Sequence, residues 1–306
     1  MSDRLEALLA RETFVVLDGG LATRLEARGC DLDDPLWSAK ILLEAPDQLL
    51  AVHREWVEAG AQILATATYQ ATIPALLARG LDERRARALL REAVALARAA
   101  VTDTDTLVAA SIGSYGAALA DGSEYRGDYG LGAAALVEFH RERIVELSAA
   151  GPDLLAFETI PSAIEALAIA ELLDTIPGPR AWVSFSLRPA SDEPRVSDGA
   201  RLRDAIAPLI GHPRVAALGV NCIAPAAVLP AIEVIATLAP GLPIIAYPNA
   251  GERWVGQRWS GAQTELDAFT ALATRWVRAG ARLIGGCCRT GPAHIRALVE
   301  LRSSAL

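Results

Sequence analysis

Residues Ala281–Thr290, ARLIGGCCRT, join a short apolar run to two glycines and two adjacent cysteines. A second stretch, Ala216–Cys222 (AALGVNC), also has the pattern of a buried strand that ends in a thiol. Three of the chain's four cysteines therefore lie at predicted strand ends. Parallel α/β folds place their functional groups at such ends, so these two stretches predict an α/β protein with its chemistry at one edge of the sheet.

The rest of the chain repeats the same unit of a strand followed by a helix. Eight β-rich runs alternate with Ala-, Leu-, Arg- and Glu-rich segments of helical period. The predicted strands are Phe14–Asp18, Ile63–Tyr69, Leu107–Ile112, Leu154–Glu158, Trp182–Leu187, Ala217–Cys222, Pro243–Tyr247 and Arg282–Gly286. The predicted helices are Pro46–Ala59, Glu83–Ala100, Ala133–Ala150, Ala163–Leu173, Ala200–Ile210, Pro225–Leu238, Glu265–Ala279 and one after Pro292.

Eight such units in 306 residues predict a single (β/α)8 barrel of the TIM type, with residues 1–306 as one domain. An open, doubly wound sheet is the alternative. That fold usually carries a G-x-G-x-x-G pattern after its first strand, whereas Leu17–Gly20 reads LDGG. Two long connections, Gly20–Ala45 and Ser111–Gly132, are expected at the C-terminal face of the barrel.

Composition excludes several classes of function. The net charge is −8 and the basic residues form no cluster, so we expect no nucleic-acid partner. The N-terminus carries charges throughout, and the chain has no run of about 18 uncharged apolar residues, so neither a signal peptide nor a membrane span is predicted. Four cysteines in 306 residues do not make a disulfide framework, and we expect a cytoplasmic protein whose clustered thiols bind metal or react.

Cys222, Cys287 and Cys288 are predicted to bind one zinc ion and to leave one position open. Zinc takes four ligands and favours thiolates, and thiols that follow the sixth and eighth strands of a barrel can converge. Neighbouring residues of a regular strand point to opposite faces, so Cys287 and Cys288 can share a metal only after the strand has ended. Gly285-Gly286 permits that break, because glycine tolerates unusual dihedral angles. Buried free thiols are the alternative.

Asp18 and Glu158 end the first and fourth predicted strands. A carboxylate that leaves an apolar strand needs a partner, and the α-amino group of a substrate would serve. A structural ion pair with an arginine is the alternative. Asn221 and Tyr247 also end strands, where they either orient a substrate or hydrogen-bond loop backbone. Aromatic rings near the same rim either attract a cation such as a sulfonium or simply pack, and they belong to Trp37, Tyr69, Tyr115, Tyr125 and Tyr129.

Other residue types disfavour competing functions. No histidine ends a predicted strand, which disfavours a zinc hydrolase, and we expect His53, His140, His212 and His294 to pack on helices or lie at the surface. Lys40, the only lysine, lies in the first long loop, which disfavours a Schiff-base aldolase. A non-catalytic zinc or thiol redox protein would need a fourth thiol or a disulfide, and no fourth thiol ends a strand.

Taken together, these motifs closely resemble the homocysteine S-methyltransferase family. The matching stretches run in the family's order from Leu17 to Ile295 and are LDGGLATRLEARGCDLDDPLWSAK, TATYQAT, GSYGAALADGSEYRGDY, FETIPS, GVNCIAP, AYPNAGERW and RLIGGCCRTGPAHI. The resemblance implies a zinc-containing (β/α)8 barrel with Cys222, Cys287 and Cys288 as the zinc ligands. It also implies that Asp18 and Glu158 bind homocysteine.

The resemblance implies methyl transfer from a sulfonium, S-methylmethionine or S-adenosylmethionine, to the thiolate of homocysteine, which gives methionine. The loop after the third strand looks most like that of relatives that use S-methylmethionine. No catalytic side chain is expected beyond the metal centre, and the chain is compatible with a monomer or a homodimer. Methylation of a selenol, in selenocysteine or selenohomocysteine, is the alternative, because a selenolate would bind zinc similarly.

Further binding roles are expected at the two long loops. Backbone amides of Gly19-Gly20 are expected to meet the homocysteine carboxylate. Residues of Ser114–Tyr129 are expected to face the positive charge of the donor, with Asp121, Glu124 and Asp128 as candidate acids and Tyr115 as a candidate aromatic contact.

Overall fold

Eight parallel strands form one sheet in the computed structural model, which describes residues 4–103, 105–189, 192–255 and 258–304. The strands of this sheet are β1 (Val15–Val16), β2 (Ile63–Ala65), β3 (Leu107–Gly113), β4 (Leu154–Ile160), β5 (Ala181–Phe185), β6 (Val215–Asn221), β7 (Ile244–Tyr247) and β10 (Ala281–Ile284). Two further strands, β8 (Arg253–Val255) and β9 (Arg258–Ser260), pair with each other as an antiparallel hairpin. All eight predicted strands are present, and the hairpin is an addition to them.

The sheet closes on itself between β1 and β2. The strand order is β1-β10-β7-β6-β5-β4-β3-β2, and Leu17 forms a parallel bridge with Ile63. The Asp18 amide donates to the Ile63 carbonyl at 3.0 Å, and the Gln62 amide donates to the Val16 carbonyl at 2.7 Å. These bonds join the two ends of the sheet, so the predicted (β/α)8 barrel is confirmed and the open-sheet alternative is wrong.

The helices surround this barrel. They are α1 (Arg4–Arg11), α2 (Leu21–Ala27), α3 (Ser38–Glu44), α4 (Pro46–Glu58), α5 (Ile73–Ala78), α6 (Glu83–Ala100), α7 (Tyr115–Leu119), α8 (Ala133–Ala149), α9 (Ala163–Thr175), α10 (Leu202–Ile206), α11 (Val228–Leu238), α12 (Leu266–Arg278) and α13 (Pro292–Ser303). In α6, Asp82 caps the first turn by accepting from the Arg85 amide at 2.8 Å, and an apolar stripe that includes Leu89 and Ala93 is buried. Among the described residues, no helix is long and apolar enough to cross a membrane.

The second predicted strand is shorter than its apolar pattern indicates. It ends at Ala65 rather than Tyr69, because threonine hydroxyls replace the regular ladder beyond that point. The Thr66 hydroxyl accepts from the Ser111 amide at 3.0 Å, and the Thr68 hydroxyl donates to the Ser111 carbonyl at 2.6 Å. Side-chain hydrogen bonds of this kind compete with sheet formation and release the chain into a turn.

Helix α1 closes the N-terminal end of the barrel. Leu5 and Leu8 of α1 are buried in the same cluster as the barrel-interior residues Val15, Leu107 and Trp182. An ion pair between Glu6 and Arg180, with 2.7 Å between oxygen and nitrogen, fastens α1 to the segment before β5. With this end filled by side chains, the opposite C-terminal end remains as the position for a functional site.

The contact between β6 and β7 leaves no room for a side chain at Gly219. Gly219 lies beside Ile245 in the parallel ladder, and a Cβ atom at Gly219 would lie 1.7 Å from the Ile245 carbonyl oxygen. That oxygen belongs to backbone, which cannot move aside without disturbing the sheet. Gly219 therefore sets the spacing of the strand that leads to Cys222.

We expect Gly219→Ala to lower the free energy of unfolding by about 1–3 kcal/mol, because overpacking forces the two strands apart. Gly132→Ala is the matched control, since a Cβ atom at Gly132 meets nothing within 4 Å and its φ is −83°. The control should lose about 1 kcal/mol or less, the usual effect of alanine at a helix N-cap. Urea unfolding of both variants measures the difference, and equal losses would contradict this account of Gly219.

Candidate functional site

Three cysteine side chains meet at the C-terminal end of the barrel. The sulfur atoms of Cys222, Cys287 and Cys288 all lie within 4.8 Å of one another, and those of Cys222 and Cys288 are 3.5 Å apart. Within the described residues, this is the one group of His, Cys, Asp and Glu side chains whose ligand atoms gather so closely. The fourth cysteine, Cys30, is free and lies outside the group. The predicted convergence of the three thiols is therefore present.

Backbone bonds hold the thiols in place after their strands have ended. Cys222 follows β6 directly with φ 52°, a left-handed conformation that costs a non-glycine residue about 1 kcal/mol or more. Its amide donates to the Tyr247 carbonyl at 3.1 Å. The Cys287 amide donates to the Pro248 carbonyl at 2.8 Å, and the Ala250 amide donates to the Cys288 carbonyl at 3.1 Å. The end of β7 thus fixes both cysteine-bearing turns.

The strand break before Cys287 is present, but its physical reason differs from the one expected. β10 ends at Ile284, and neither Gly285 nor Gly286 has a positive φ. The glycines are required for space. A Cβ atom at Gly286 would lie 2.2 Å from the Thr290 hydroxyl oxygen, and one at Gly285 would lie 2.7 Å from the Cβ atom of Leu17. Close packing, rather than dihedral freedom, accounts for the two glycines.

The three thiols differ in how readily they ionise. Hydrogen bonds from Cys287 and Cys288 hold the pKa of Cys222 well below its usual range. The same contacts with Cys222 raise the pKa of Cys287 and of Cys288 well above theirs. One thiolate is therefore stabilised at the expense of the other two, and all three ionise together only when a cation joins them.

The residues present fit a metal ion. Tetrahedral zinc–thiolate bonds of about 2.3 Å place sulfur atoms about 3.8 Å apart. The sulfurs of Cys222 and Cys288 are 3.5 Å apart, and all three sulfurs lie within 4.8 Å of one another. Three sulfurs leave a fourth position of a tetrahedral ion for another ligand. The cluster is therefore able to bind a metal ion, and its sulfur donors suit a soft or borderline cation.

Two buried carboxyl groups lie beside the cluster. Asp18 follows β1 and accepts from the Ala65 amide at 2.8 Å, and Glu158, in β4, accepts from the Ser111 hydroxyl. Burial raises the pKa of Asp18 well above its usual range, and the neighbouring Glu158 carboxylate raises it further. Burial also raises the pKa of Glu158 to about 7. Neither carboxyl has an arginine partner among the described residues, so the predicted alternative of a structural ion pair does not describe them.

Tyr247 belongs to the wall behind Glu158. Its hydroxyl accepts from the Trp182 indole at 3.0 Å, lies 2.5 Å from the Ser184 hydroxyl and hydrogen-bonds the Glu158 carboxylate. The ring is 5 % exposed. These contacts fix the position of the Glu158 carboxylate from the β5 and β7 side of the barrel.

Asn221 is bonded to Thr159 at both ends of its amide. The side-chain oxygen accepts from the Thr159 amide at 2.7 Å, and the nitrogen donates to the Thr159 hydroxyl at 2.8 Å. The same nitrogen lies 4.0 Å from the sulfur of Cys287. Thr159 has φ 56°, so Asn221 stabilises a strained backbone beside Glu158. The sequence analysis did not identify Thr159 as a site residue, although its position directly after Glu158 in the FETIPS stretch could have indicated that role.

The predicted aromatic residues separate into two groups. The Tyr125 hydroxyl lies 3.2 Å from the sulfur of Cys222, and the Tyr69 hydroxyl bonds Thr159, so both rings belong to the site. The ring of Tyr115 packs edge-on against Tyr129 at 5.1 Å and against Phe139 of α8 at 4.9 Å between centroids. The structure brings Tyr125 and Tyr69 to the cysteines and places Tyr115 in a neighbouring aromatic cluster.

The first turn after β1 is packed against the cysteine loop. The Gly20 amide donates to the Thr290 hydroxyl at 3.2 Å, so it is already used within the protein. For the Gly19 amide, the described part of the chain provides no acceptor. A Cβ atom at Gly19 would lie 2.8 Å from the ring of Trp56. Of the two amides expected to meet a carboxylate, Gly19 alone stays available.

The remaining candidates lie away from the thiols. Lys40 pairs with Asp31 at 3.0 Å in the first loop. His53 is fully buried on α4, and His212 pairs with Asp174 at 3.1 Å. His140 of α8 bonds the Glu165 carboxylate at 2.8 Å in a buried network behind the pocket. Each histidine therefore packs against helices or lies near the surface, as expected.

Comparisons with known proteins agree over nearly the whole chain. A family model described as homocysteine S-methyltransferase matches residues 15–301. The homocysteine S-methyltransferase of Escherichia coli (strain K12) is 48% identical over 304 residues, which cover 96% of this chain and 97% of that relative. The crystal structure of the metallated form of the Escherichia coli homocysteine methyltransferase MmuM matches with a TM-score of 0.86 and 46% identity, over 99% of this chain and 100% of that chain. The selenocysteine Se-methyltransferase of Brassica oleracea var. italica is 42% identical over 317 residues, which cover 95% of this chain and 90% of that relative.

We expect Cys222→Ser and Cys288→Ser to reduce bound metal from about one ion per chain to less than about a tenth, because two sulfurs form an incomplete site. Cys30→Ser is the matched control and should keep the full metal content. Elemental analysis of the purified, reduced proteins measures the ratio. Full metal content in either cluster variant would exclude that sulfur as a ligand.

Proposed function

The chain belongs to the homocysteine S-methyltransferase family, and we propose that it transfers a methyl group from the sulfonium of S-methylmethionine to the thiolate of L-homocysteine, with one zinc ion on Cys222, Cys287 and Cys288. It is accordingly a methyltransferase that acts on small-molecule substrates. One observation carries the assignment of the site: three thiols able to bind a metal lie next to two buried carboxyl groups that have no counter-charge among the described residues. The proposal treats residues 1–306 as a single domain, and the free thiols favour a reducing compartment such as the cytoplasm.

Asp18 and Glu158 are proposed to bind the ammonium group of homocysteine. Two neighbouring carboxylates in a buried pocket repel each other, and each stays ionised more readily when a cation lies between them. An α-ammonium group carries that charge and has three N–H donors to share. The Gly19 amide is then available to donate to the α-carboxylate.

Zinc, when bound, would supply an acceptor thiolate at neutral pH, since coordination deprotonates a thiol whose ordinary pKa is about 8.5. The protein's contribution is to hold this acceptor in one orientation. Asn221 and Thr159 connect the turn that bears Cys222 to the end of β4, where Glu158 binds the substrate. One connected set of backbone and side-chain contacts thereby positions both the sulfur and the ammonium group of homocysteine.

The reaction moves one methyl group and neutralises one positive and one negative charge. The bond between the donor sulfur and its methyl group breaks, and its electron pair stays on that sulfur. The homocysteine sulfur forms the new bond to the methyl group, so a cation and an anion become two neutral thioethers. A site with little water favours this change, because water stabilises the charged reactants more than the neutral products. With S-methylmethionine as donor, both products are methionine.

A methionine-formation assay on zinc-loaded, reduced protein tests the proposal. Homocysteine is the acceptor, and S-methylmethionine, S-adenosylmethionine and betaine are compared as donors. We expect turnover with the sulfonium donors, highest with S-methylmethionine, and none above background with betaine. Turnover with betaine alone, or with none of the three, would overturn the proposed donor.

Methyl transfer to a selenol is the second candidate function. Its support is the 42% identity to a selenocysteine Se-methyltransferase, whose acceptor differs from homocysteine in chain length and in the reacting atom. The same assay with selenocysteine and selenohomocysteine, under reducing conditions, ranks the acceptors by kcat/KM. A higher kcat/KM for selenocysteine than for homocysteine would make this chain a selenol methyltransferase in practice.

We expect Glu158→Gln to raise the KM for homocysteine about tenfold or more, because the variant loses a buried charge opposite the substrate ammonium. Metal content and the KM for the donor should stay within about twofold of the wild type. Glu138→Gln, on the exposed face of α8, is the matched control for the same chemical change. An unchanged homocysteine KM in Glu158→Gln would remove Glu158 from the substrate site.

A further inference from the structure

The loop between β3 and α8 carries three acidic residues in two different environments. Asp121 and Asp128 have side chains that are 53% and 72% exposed. Arg126 pairs with both of them, at 3.4 Å and 3.5 Å. Asp121 also accepts from the amide and the hydroxyl of Ser123, which stabilises the turn. The Arg126 guanidinium is therefore paired with the two exposed carboxylates of this loop.

Glu124 forms no ion pair with Arg126 among the described residues, although the Arg126 guanidinium lowers the pKa of its carboxyl. Its carboxylate oxygen Oε2 is buried and, among the described residues, has no hydrogen-bonding partner. A buried carboxylate oxygen without a partner is unfavourable, and a ligand that completes its hydrogen bonds or its charge would account for it. Burial and, to a smaller extent, the Cys222 sulfur raise the pKa of Glu124 to about 7. The oxygen without a partner and the electrostatic effect of Cys222 both indicate that Glu124 faces the substrate site.

The backbone around Glu124 is fixed against the rim of the barrel. The Glu124 carbonyl accepts from the hydroxyl of Ser186, just after β5, at 2.7 Å. A Cβ atom at Gly116 would lie 2.5 Å from the Glu124 amide nitrogen, so α7 presses closely on this turn. The next residue, Tyr125, places its hydroxyl 3.2 Å from the Cys222 sulfur. Glu124 is thus held one residue from a direct contact with the metal-binding cluster.

We propose that Glu124 binds the methyl donor by placing its carboxylate against the positive charge of the donor's sulfonium. The inference rests on the proposed function and deepens it, because it assigns the donor side of the same site. A sulfonium centre accepts no hydrogen bond and donates none, so a protein can recognise it only through charge and aromatic faces. Glu124 supplies the charge, and the half-buried ring of Tyr69, whose pKa burial and the Glu124 carboxylate both raise, supplies a neighbouring aromatic surface.

The geometry favours a sulfonium over the donor's ammonium group as the partner of Glu124. The methyl group must lie between the donor sulfur and the acceptor sulfur, so the donor sulfur comes within about 5 Å of the acceptor. The acceptor sulfur is proposed to lie beside Cys222, and the hydroxyl of Tyr125, the residue after Glu124, lies 3.2 Å from the Cys222 sulfur. We therefore expect the Glu124 carboxylate to lie nearer to the donor sulfur than to the distant end of the donor.

The test compares Glu124→Gln with Glu124→Asp and with Asp128→Asn in the zinc-loaded protein. We expect Glu124→Gln to raise the KM for S-methylmethionine at least about 30-fold, as removal of one partner of a desolvated charge pair does. The KM for homocysteine should stay within about twofold, which also shows that the variant is folded. Glu124→Asp should recover part of the loss, and Asp128→Asn, an exposed carboxylate of the same loop, should match the wild type.

Binding of trimethylsulfonium provides a readout that does not depend on turnover. This ion has the charge of the donor and no amino-acid group, and its binding can be followed by tryptophan fluorescence or as competitive inhibition. Its affinity should fall in Glu124→Gln and remain in Asp128→Asn. An unchanged affinity together with an unchanged donor KM would overturn the inference. If wild-type protein transfers no methyl group but binds trimethylsulfonium through Glu124, the proposed function fails while the cation site stands.

Discussion

Buried acidic groups at one end of the barrel, with no cationic partner among the described residues, are the constraint on which the site depends. Burial raises the pKa of Asp18, of Glu124 and of Glu158, and two of the three clustered thiols also resist ionisation. A protein that only needed to be stable would replace such groups with apolar residues of similar volume. Their presence is physically sensible when cations enter with the ligands. A metal ion, a substrate ammonium and a donor sulfonium are three such cations, one for each part of the pocket.

The strained backbone lies at the same end of the barrel. Among the described residues, five non-glycine residues have a positive φ, and three of them, Thr159, Cys222 and Arg289, adjoin the carboxylate of Glu158 or the sulfurs. Each such residue costs on the order of 1 kcal/mol or more, so the surrounding contacts must hold it. Asn221 holds Thr159, the end of β7 holds Cys222, and the Thr23 hydroxyl accepts from the Arg289 amide at 2.8 Å. The other two, Trp37 and Ala120, lie in the connections after β1 and β3, so most of this cost falls beside the residues of the site.

Sequence patterns predict the barrel well, because its strands are buried on both faces and its long helices have one apolar stripe. Helix α6 occupies the predicted Glu83–Ala100, and the three thiols converge as expected, since parallel strands share one end. Short helices were not predicted. α2, α3, α5 and α7 have only five to seven residues each, and packing rather than periodicity forms them. A period of 3.6 residues is not recognisable over so few positions.

Side-chain partners are the other feature that sequence does not predict. The sequence does not distinguish three polar or aromatic residues near strand ends: Asn221, Tyr247 and Tyr115. In the structure, Asn221 hydrogen-bonds Thr159 and Tyr247 hydrogen-bonds Glu158. Tyr115 packs in a neighbouring aromatic cluster. Likewise Asp121, Glu124 and Asp128 look alike in the chain. Only the fold shows that Arg126 faces two of them and leaves the third with a buried oxygen. Contacts between residues that are far apart in the sequence decide these roles, and local composition does not predict such contacts.

Charge compensation also has a consequence for how such a site can accelerate transfer. A carboxylate that attracts the donor sulfonium stabilises the charged ground state more than a transition state in which that charge is already dispersing, so by itself it improves binding rather than the rate of the bound complex. The acceleration must then come from exclusion of water and from alignment of the donor methyl group with the acceptor sulfur. The contacts that fix alignment here are the neutral ones, between Asn221 and Thr159 and between Ser186 and the Glu124 backbone. On the proposed assignment, the charges therefore hold the substrates, while neutral hydrogen bonds set the geometry of the reaction.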